Sequence, residues 1–321
     1  MNEFELIQRL QQRNHVQRQD VIQGIGDDCA RVAIPEGFEL AITTDTLIGG
    51  VHFPENISPH AIGYKALAVN LSDLAAMGAE PAWVTLALSM PSNDLKWLDQ
   101  FAEGFFSLAE IFNVVLIGGD TTRGPLSITI QAHGFVPTGQ AITRSGAKAG
   151  DYICITGTLG EAGLALTQHK DQAQATAVNR LNYPTPRVTA GMALRGIASS
   201  AIDISDGLIA DLGHILDASQ VGARITLEEL PLSKLMQENK DAMLMLQYAL
   251  TSGDDYELCF TIPEEHIERV NALQYELNLP IKHIGNIEKQ TGLRILRQDG
   301  EPLEITGGGY DHFSDKQQHD K

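Results

Sequence analysis

The 321 residues carry 41 acidic against 23 basic side chains, a formal net charge of −18 whose field repels phosphate backbones and disfavours nucleic acid as a partner. With 43% hydrophobic and 20% charged residues the chain can bury a core and is too apolar for a disordered one. No apolar run reaches the roughly 20 residues of a membrane-spanning helix, so no membrane partner is expected. Cys29, Cys154 and Cys259 stand far apart without CxxC spacing, which points away from disulfides and zinc and fits a reducing, cytoplasmic setting.

The length suits two domains of about 150 residues. The chain opens on an amphipathic helix with Phe4, Ile7 and Leu10 on one face. Short β-branched runs then predict strands over 39–44, 83–90, 114–118 and 127–136. Between them, Leu95, Leu98, Phe105, Leu108 and Phe112 recur at helical spacing, with Asn93 or Asp94 as cap, and read as a core helix. The small polar stretch RSGAKAGD (144–151) precedes a fresh strand, 152–156, and marks a boundary between domains 1–147 and 148–313. Further on, the pattern predicts a helix from Glu161, a helix over 186–196 opened by Pro186, a strand over 201–204, a helix over 207–218, a strand over 257–262 and a helix over 263–278. Residues 314–321, SDKQQHDK, hold nothing that packs and read as a flexible tail. The fold class is α/β, two mixed domains in succession.

Aspartate recurs at the ends of apolar strands, beside glycine or a hydroxyl residue. Asp45 follows LAITT, Asp120 follows VVLIGG, Asp203 and Asp206 lie in AIDISDG, Asp27 and Asp28 lie in GIGDDCA, and Asp73 sits in the helix-like KALAVNLSDLAAMGA. Strand ends aim side chains into a crevice where several carboxylates can converge. Mg²⁺ takes one or two carboxylates together with substrate phosphates, so an acidic chain that handles nucleotides needs such ions. Each aspartate alone could equally form a turn or cap a helix, and Asp211, inside a helix, reads as surface. Neither GIGDD nor GGD matches a Walker loop, protein-kinase signatures are absent, and GTLGEAG (157–163) reads as a structural turn.

Taken in order, GIGDDCA, TTDTL with GVHF, YKALAVNLSDLAAMGAEP, LIGGDTTRG, TRSGAKAGD, AIDISDGL, SGDDYELCF and GYDHF resemble the thiamine-monophosphate kinases. These belong to the superfamily of aminoimidazole ribonucleotide synthetase. The resemblance runs from about residue 20 to residue 313. It implies a two-domain fold whose N-terminal mixed sheet pairs across a homodimer, with ATP as co-substrate, several Mg²⁺ ions and thiamine monophosphate as acceptor. It also implies metal ligation by Asp28, Thr43, Thr44, Asp45, Asp73, Asp120, Asp203 and Asp206. Gly119, Asp120, Arg144 and Ser205 fall at nucleotide positions, and His52, Asp254 and Tyr310 at acceptor positions; Asp45, Asp120 and Arg144 carry the catalysis. The family often has Glu where this chain has Asp254, and Ser where it has Thr43.

The expected reaction is direct in-line transfer of the ATP γ-phosphoryl to the acceptor phosphate, without an enzyme nucleophile. Two rivals are another superfamily kinase or synthetase with a different acceptor, and a nucleotide-binding scaffold without chemistry. Selenophosphate synthetase would place a reactive Cys in the N-terminal glycine loop, where Cys29 follows DD instead, and the hydrogenase protein of the superfamily a Cys-terminated tail, where this chain has Lys321.

Overall fold

The structure is a computed structural model that describes residues 3–54, 56–167 and 175–303. In chain order the first elements are α1 (Glu3–Arg13), β1 (Val21–Gln23), β2 (Arg31–Val32), β3 (Phe38–Ile48), α2 (Pro59–Ala76), β4 (Glu80–Met90), α3 (Leu95–Ile111), β5 (Val115–Arg123) and β6 (Ser127–Pro137). There follow β7 (Tyr152–Thr156), α4 (Glu161–Thr167), α5 (Ala175–Asn182), α6 (Val188–Ala193), β8 (Ser200–Asp203) and α7 (Leu208–Ser219). The last are β9 (Gly222–Thr226), α8 (Lys234–Gln237), α9 (Ala242–Thr251), β10 (Leu258–Ile262), α10 (Ile267–Glu276), β11 (Ile281–Glu288) and β12 (Gly292–Leu296).

Two compact units result. The first takes the described residues up to Ala141 together with Asn182–Arg195, and the second takes Ile142–Leu181 and the described residues from Gly196 onward. The return of 182–195 to the first unit has no counterpart in a single linear boundary. Its helix, expected over 186–196, is confined to α6, because Arg187 lacks a side-chain cap bond and the chain leaves helical hydrogen bonding after Leu194.

In the first unit a four-stranded sheet runs β3-β6-β4-β5, antiparallel except for the parallel β4–β5 pair. Leu86, Leu88, Ile128, Ile130 and Ala132 alternate inward along their strands and are buried. Helix α2 starts at Ser58, whose hydroxyl accepts the Ala61 N–H at 3.1 Å, with Pro59 at its first position. It is buried on nearly every side, as an 18-residue helix with apolar residues all round must be. Helix α3 begins at Asp94, which accepts the Trp97 N–H at 3.0 Å, and buries Leu98, Phe101, Phe105 and Leu108 on one face. The two helices cross closely at Gly63 and Gly104. A methyl at Gly63 would overlap the Phe101 carbonyl, and one at Gly104 the His60 carbonyl.

The second unit holds a six-stranded sheet, β12-β9-β11-β7-β10-β8, antiparallel except for β12–β9. Strand β10 is buried along its whole length between β7 and β8, so its residues LCFTI read as a continuous apolar run. Strands β9, β11 and β12 were not foreseen from the sequence. Their residues (GARIT, IKHIGNIE, GLRIL) mix apolar side chains with polar and glycine positions without clean alternation, and hydrogen bonds from their neighbours complete them as strands.

Replacing Gly104 by Ala should lower stability by about 3 kcal/mol, since backbone must move to admit the methyl at a packed helix crossing. Urea unfolding of the purified variant measures it; unchanged stability would contradict the crossing.

Candidate active site

The register of the first sheet sorts the aspartates by face. Asp45 stands opposite Ile130, and Thr43 opposite Ala132, so both point to the buried side. There Thr43 donates its hydroxyl to Asp73 of α2, and the Asn70 side chain, one turn earlier, accepts the Asp45 N–H at 3.2 Å. Burial first, and then the neighbouring Asp73 carboxylate, push the Asp45 carboxyl up to about 6. Two carboxylates and a hydroxyl thus meet at a partly enclosed point, a set of hard oxygen donors.

Thr44 stands opposite Gln131 and shares the open face of the sheet with Asp120, which stands opposite Ala87 on β4. Three strand spacings lie between β3 and β5, so the Cα atoms of Asp45 and Asp120 are roughly 14 Å apart within the protomer. The sheet does not bring these two side chains together. Gly119 precedes Asp120 with φ +152° and fits so tightly against β4 that a methyl would overlap the Leu86 carbonyl. Asp28 is exposed, and its N–H is accepted by the Asp27 carboxylate at 2.8 Å, which makes Asp27 the member of the pair that holds the loop. His52 Nδ1 accepts the Ile48 N–H at 3.0 Å, which puts the proton of the neutral ring on Nε2.

In the second unit β8 ends at Asp203, which is 5% exposed, and the chain turns through Ser205 and Asp206 into α7. The expectation that Asp211 is a surface residue is corrected here: it is 2% exposed. One oxygen of its carboxylate accepts the N–H groups of Ser205, Asp206 and Gly207 at 3.0, 3.0 and 3.1 Å. Its position in the first turn of α7, with four residues to the turn it holds, was the signal available in the sequence. Burial pushes its carboxyl up to about 7 in spite of those bonds.

Arg144 is exposed, and its backbone is fixed by Ser219, whose hydroxyl donates to the Arg144 carbonyl at 3.3 Å and accepts the Gly146 and Ala147 N–H groups at 3.2 Å. Asp254 is half-buried with φ +62°, and its N–H donates to the Ser205 carbonyl at 2.8 Å. Ser205 and Asp254 are therefore neighbours along one backbone ladder. A left-handed non-glycine residue costs about 1–3 kcal/mol, which the surroundings must supply. Tyr310 lies outside the described residues. The structural reading of GTLGEAG agrees with the Gly160 N–H, which already faces the Asp255 carboxylate at 3.0 Å.

Among the described residues no group of three or more His, Cys, Asp or Glu side chains closes to metal-binding distance; Asp45 and Asp73 act on each other as a pair. Pairs are what Mg²⁺ borne by a nucleotide requires, since phosphates and water complete its shell, so the oxygen donors of Thr43, Asp45 and Asp73 fit that ion.

Residues 26–136 match the model of the AIR synthase related protein, N-terminal domain, and residues 148–297 that of its C-terminal domain. The chain is 51% identical over 320 residues to the thiamine-monophosphate kinase of Escherichia coli K12, covering 97% of this chain and 98% of that one. It is similar to the crystal structure of thiamine-monophosphate kinase from Stenotrophomonas maltophilia K279a, with TM-score 0.86 and 44% identity over 94% of this chain and 98% of that one. It is also similar to AaThiL complexed with AMPPCP and TMP, with TM-score 0.76 and 29% identity over 97% and 96% of the two chains. On these matches the chain belongs to the thiamine-monophosphate kinase family, within the AIR synthase related proteins.

Proposed function

We propose that this chain transfers the γ-phosphoryl group of ATP to the phosphate of thiamine monophosphate, giving thiamine diphosphate and ADP. The observation that carries the reading is the 51% identity, over nearly the whole of both chains, to a thiamine-monophosphate kinase. The complex of AaThiL with AMPPCP and TMP supports it, because both ligands of such a reaction are held there by a protein 29% identical to this one. Thiamine biosynthesis in the cytoplasm is the setting, with no nucleic acid or membrane as partner. The domain expected over 1–147, whose compact unit also takes in 182–195, is the half that binds ATP and Mg²⁺ and dimerises, and that expected over 148–313 is the second domain; 314–321 lie outside the described residues.

Thr43, Thr44, Asp45, Asp73, Asp120 and Asp28 of the first domain, with Asp203 and Asp206 of the second, hold Mg²⁺ ions. When bound, these ions neutralise the phosphate oxygens and fix their positions. The attacking phosphate oxygen has a second pKa near 6, so it is ionised at neutral pH and asks for no general base. That matches a set of residues with no nucleophile activated by a neighbouring base. Arg144 offers a planar guanidinium for bidentate phosphate binding, and Gly119, Asp120 and Ser205 complete the nucleotide contacts. His52, with its proton on Nε2, donates to the acceptor, which Asp254 and Tyr310 also contact. Catalysis is alignment plus charge neutralisation in a loose transition state.

A homodimer formed through the first sheet belongs to the same proposal. Strand β3 is the edge of that sheet and exposes Ile42 by 56% and Ile48 by 40%, apolar surface on an edge that soluble proteins normally cover.

Replacing Asp45 or Asp120 by Asn should cut formation of thiamine diphosphate at least about 100-fold. The two variants should differ in stability: D45N removes the repulsion from Asp73 and melts no lower than the parent in the absence of metal, measured by calorimetry. Full activity in both would refute the assignment. Chelation by EDTA should abolish turnover and added Mg²⁺ restore it; activity that survives chelation would remove the ions from the reaction. Asp211→Ala strips three amides, that of Gly207 buried and those of Ser205 and Asp206 partly so, of their acceptor and should raise KM for ATP about tenfold, while a wild-type KM would leave Asp211 a helix cap only.

A further inference from the structure

Residues 253–256 lead from α9 into β10 through a backbone that most side chains avoid. Gly253, Asp254 and Tyr256 have φ of 67°, 62° and 52°. Gly253 is required there twice, by its φ and because a methyl would overlap the Ser205 carbonyl. Non-glycine residues keep such a conformation only where their surroundings over-determine it.

Two sets of bonds do so. On one side the segment is laced to the turn after β8: the Asp254 N–H donates to the Ser205 carbonyl at 2.8 Å, the Tyr256 N–H to the Ile204 carbonyl at 2.9 Å, and the Ile204 N–H to the Glu257 carbonyl at 2.8 Å. On the other side Asp255 and Glu257 are enclosed, 4% and 0% exposed, while Asp254 and Tyr256, which alternate with them, are half-buried. Both Asp255 oxygens lie 3.0 Å from the Gly160 N–H. The Glu257 carboxylate accepts from the Arg180 guanidinium at 2.7 Å and from the Thr156 hydroxyl at 2.7 Å. Arg180 also lies 3.6 Å from Glu161.

A core built for stability alone would be at least as well served by apolar residues of the same volume, since removing these charges from water is costly. What apolar packing does not supply is a fixed direction for each alternate residue, and here the alternation turns Asp254 outward beside Ser205. We propose that Arg180, Glu257 and Asp255 are positioning residues, a buried ionic rack that holds Asp254 in its left-handed conformation and thereby sets affinity for the phosphorylated acceptor. The proposal rests on the kinase reading above, in which Asp254 contacts that acceptor.

The test is a double-mutant cycle on the full chain with Glu257→Gln and Asp254→Asn, with thiamine monophosphate and ATP varied in turn. E257Q should raise the acceptor KM about tenfold and leave the ATP KM within about twofold, and in the D254N background it should add less than about twofold. Arg180→Lys should keep more acceptor affinity than Arg180→Gln. A folded E257Q protein with an unchanged acceptor KM, equal rises in both KM values, or an additive cycle overturns the rack. Should the rack variants not fold, Asp254→Gly decides: glycine accepts the left-handed φ, so its thermal midpoint should rise while the acceptor KM also rises. A midpoint that stays or falls removes the strain and the rack with it. Wild-type protein that makes no thiamine diphosphate overturns the kinase reading together with this proposal, whereas active wild type with an additive cycle overturns the rack alone.

Discussion

Like charges held side by side set the terms for the rest of this protein. Asp45 and Asp73 face each other at a partly enclosed point, where burial and the Asp73 charge together push the Asp45 carboxyl up to about 6. Such a pair is costly in a chain already carrying −18, and a proton or a cation relieves the repulsion. A protein that binds two anionic ligands has a use for that imbalance. In the proposed reaction, a cation that satisfied these carboxylates would also make phosphate binding favourable, and ligand binding would recover stability that the empty protein gives up.

The scaffold shows how that crowding is maintained. Asp73 and Asn70 sit one helical turn apart on α2, both within reach of β3, and α2 cannot retreat because α3 crosses behind it at the Gly63–Gly104 contact. Asn70 is itself 0% exposed and uses its amide group to donate to the Ala66 carbonyl while accepting the Asp45 N–H. An edge-strand amide is thereby satisfied from the helix, which fixes the strand's height against it. The apolar crossing and the polar contact are two faces of one constraint on α2.

How much of this was legible in the sequence follows from which interactions are local. Of the aspartates expected at strand ends only Asp203 is one, closing β8; β3 and β5 run on through Asp45 and Asp120 to Ile48 and Arg123, because pairing with neighbours, invisible in a short window, carries a strand past its apolar run. The cap at Asp94 and the core face of α3 were legible because both are local. Asp211 was misread because a carboxylate inside a helical pattern gives no sign of being buried until the preceding turn folds back over it. The partnership of Arg180 with Glu257 spans 77 positions, and nothing in either neighbourhood announces it. Strands β9, β11 and β12 went unseen because hydrogen bonding to neighbours, and not their own composition, makes them strands. Local geometry at His52 and Asp254 is likewise set by contacts no short window shows: one backbone amide places the His52 ring proton, and neighbouring backbone places the turn at Asp254.

The register of the first sheet constrains how the acidic residues can cooperate. Asp45 and Asp120 belong to opposite faces, with β6 and β4 between their strands, and carboxylate ligands must come within about 2.1 Å of a shared Mg²⁺ ion. A single ion held by Asp45 of one protomer is therefore beyond the reach of its own Asp120. If both hold cations, then either the ions are separate and a polyphosphate spans them, or the open face carrying Thr44 and Asp120 meets a second copy of the chain. That open face is mixed: Thr44, Thr46, Thr129 and Gln131 line it between the exposed Ile42 and Ile48, whereas a sheet packed on both sides would carry apolar residues throughout.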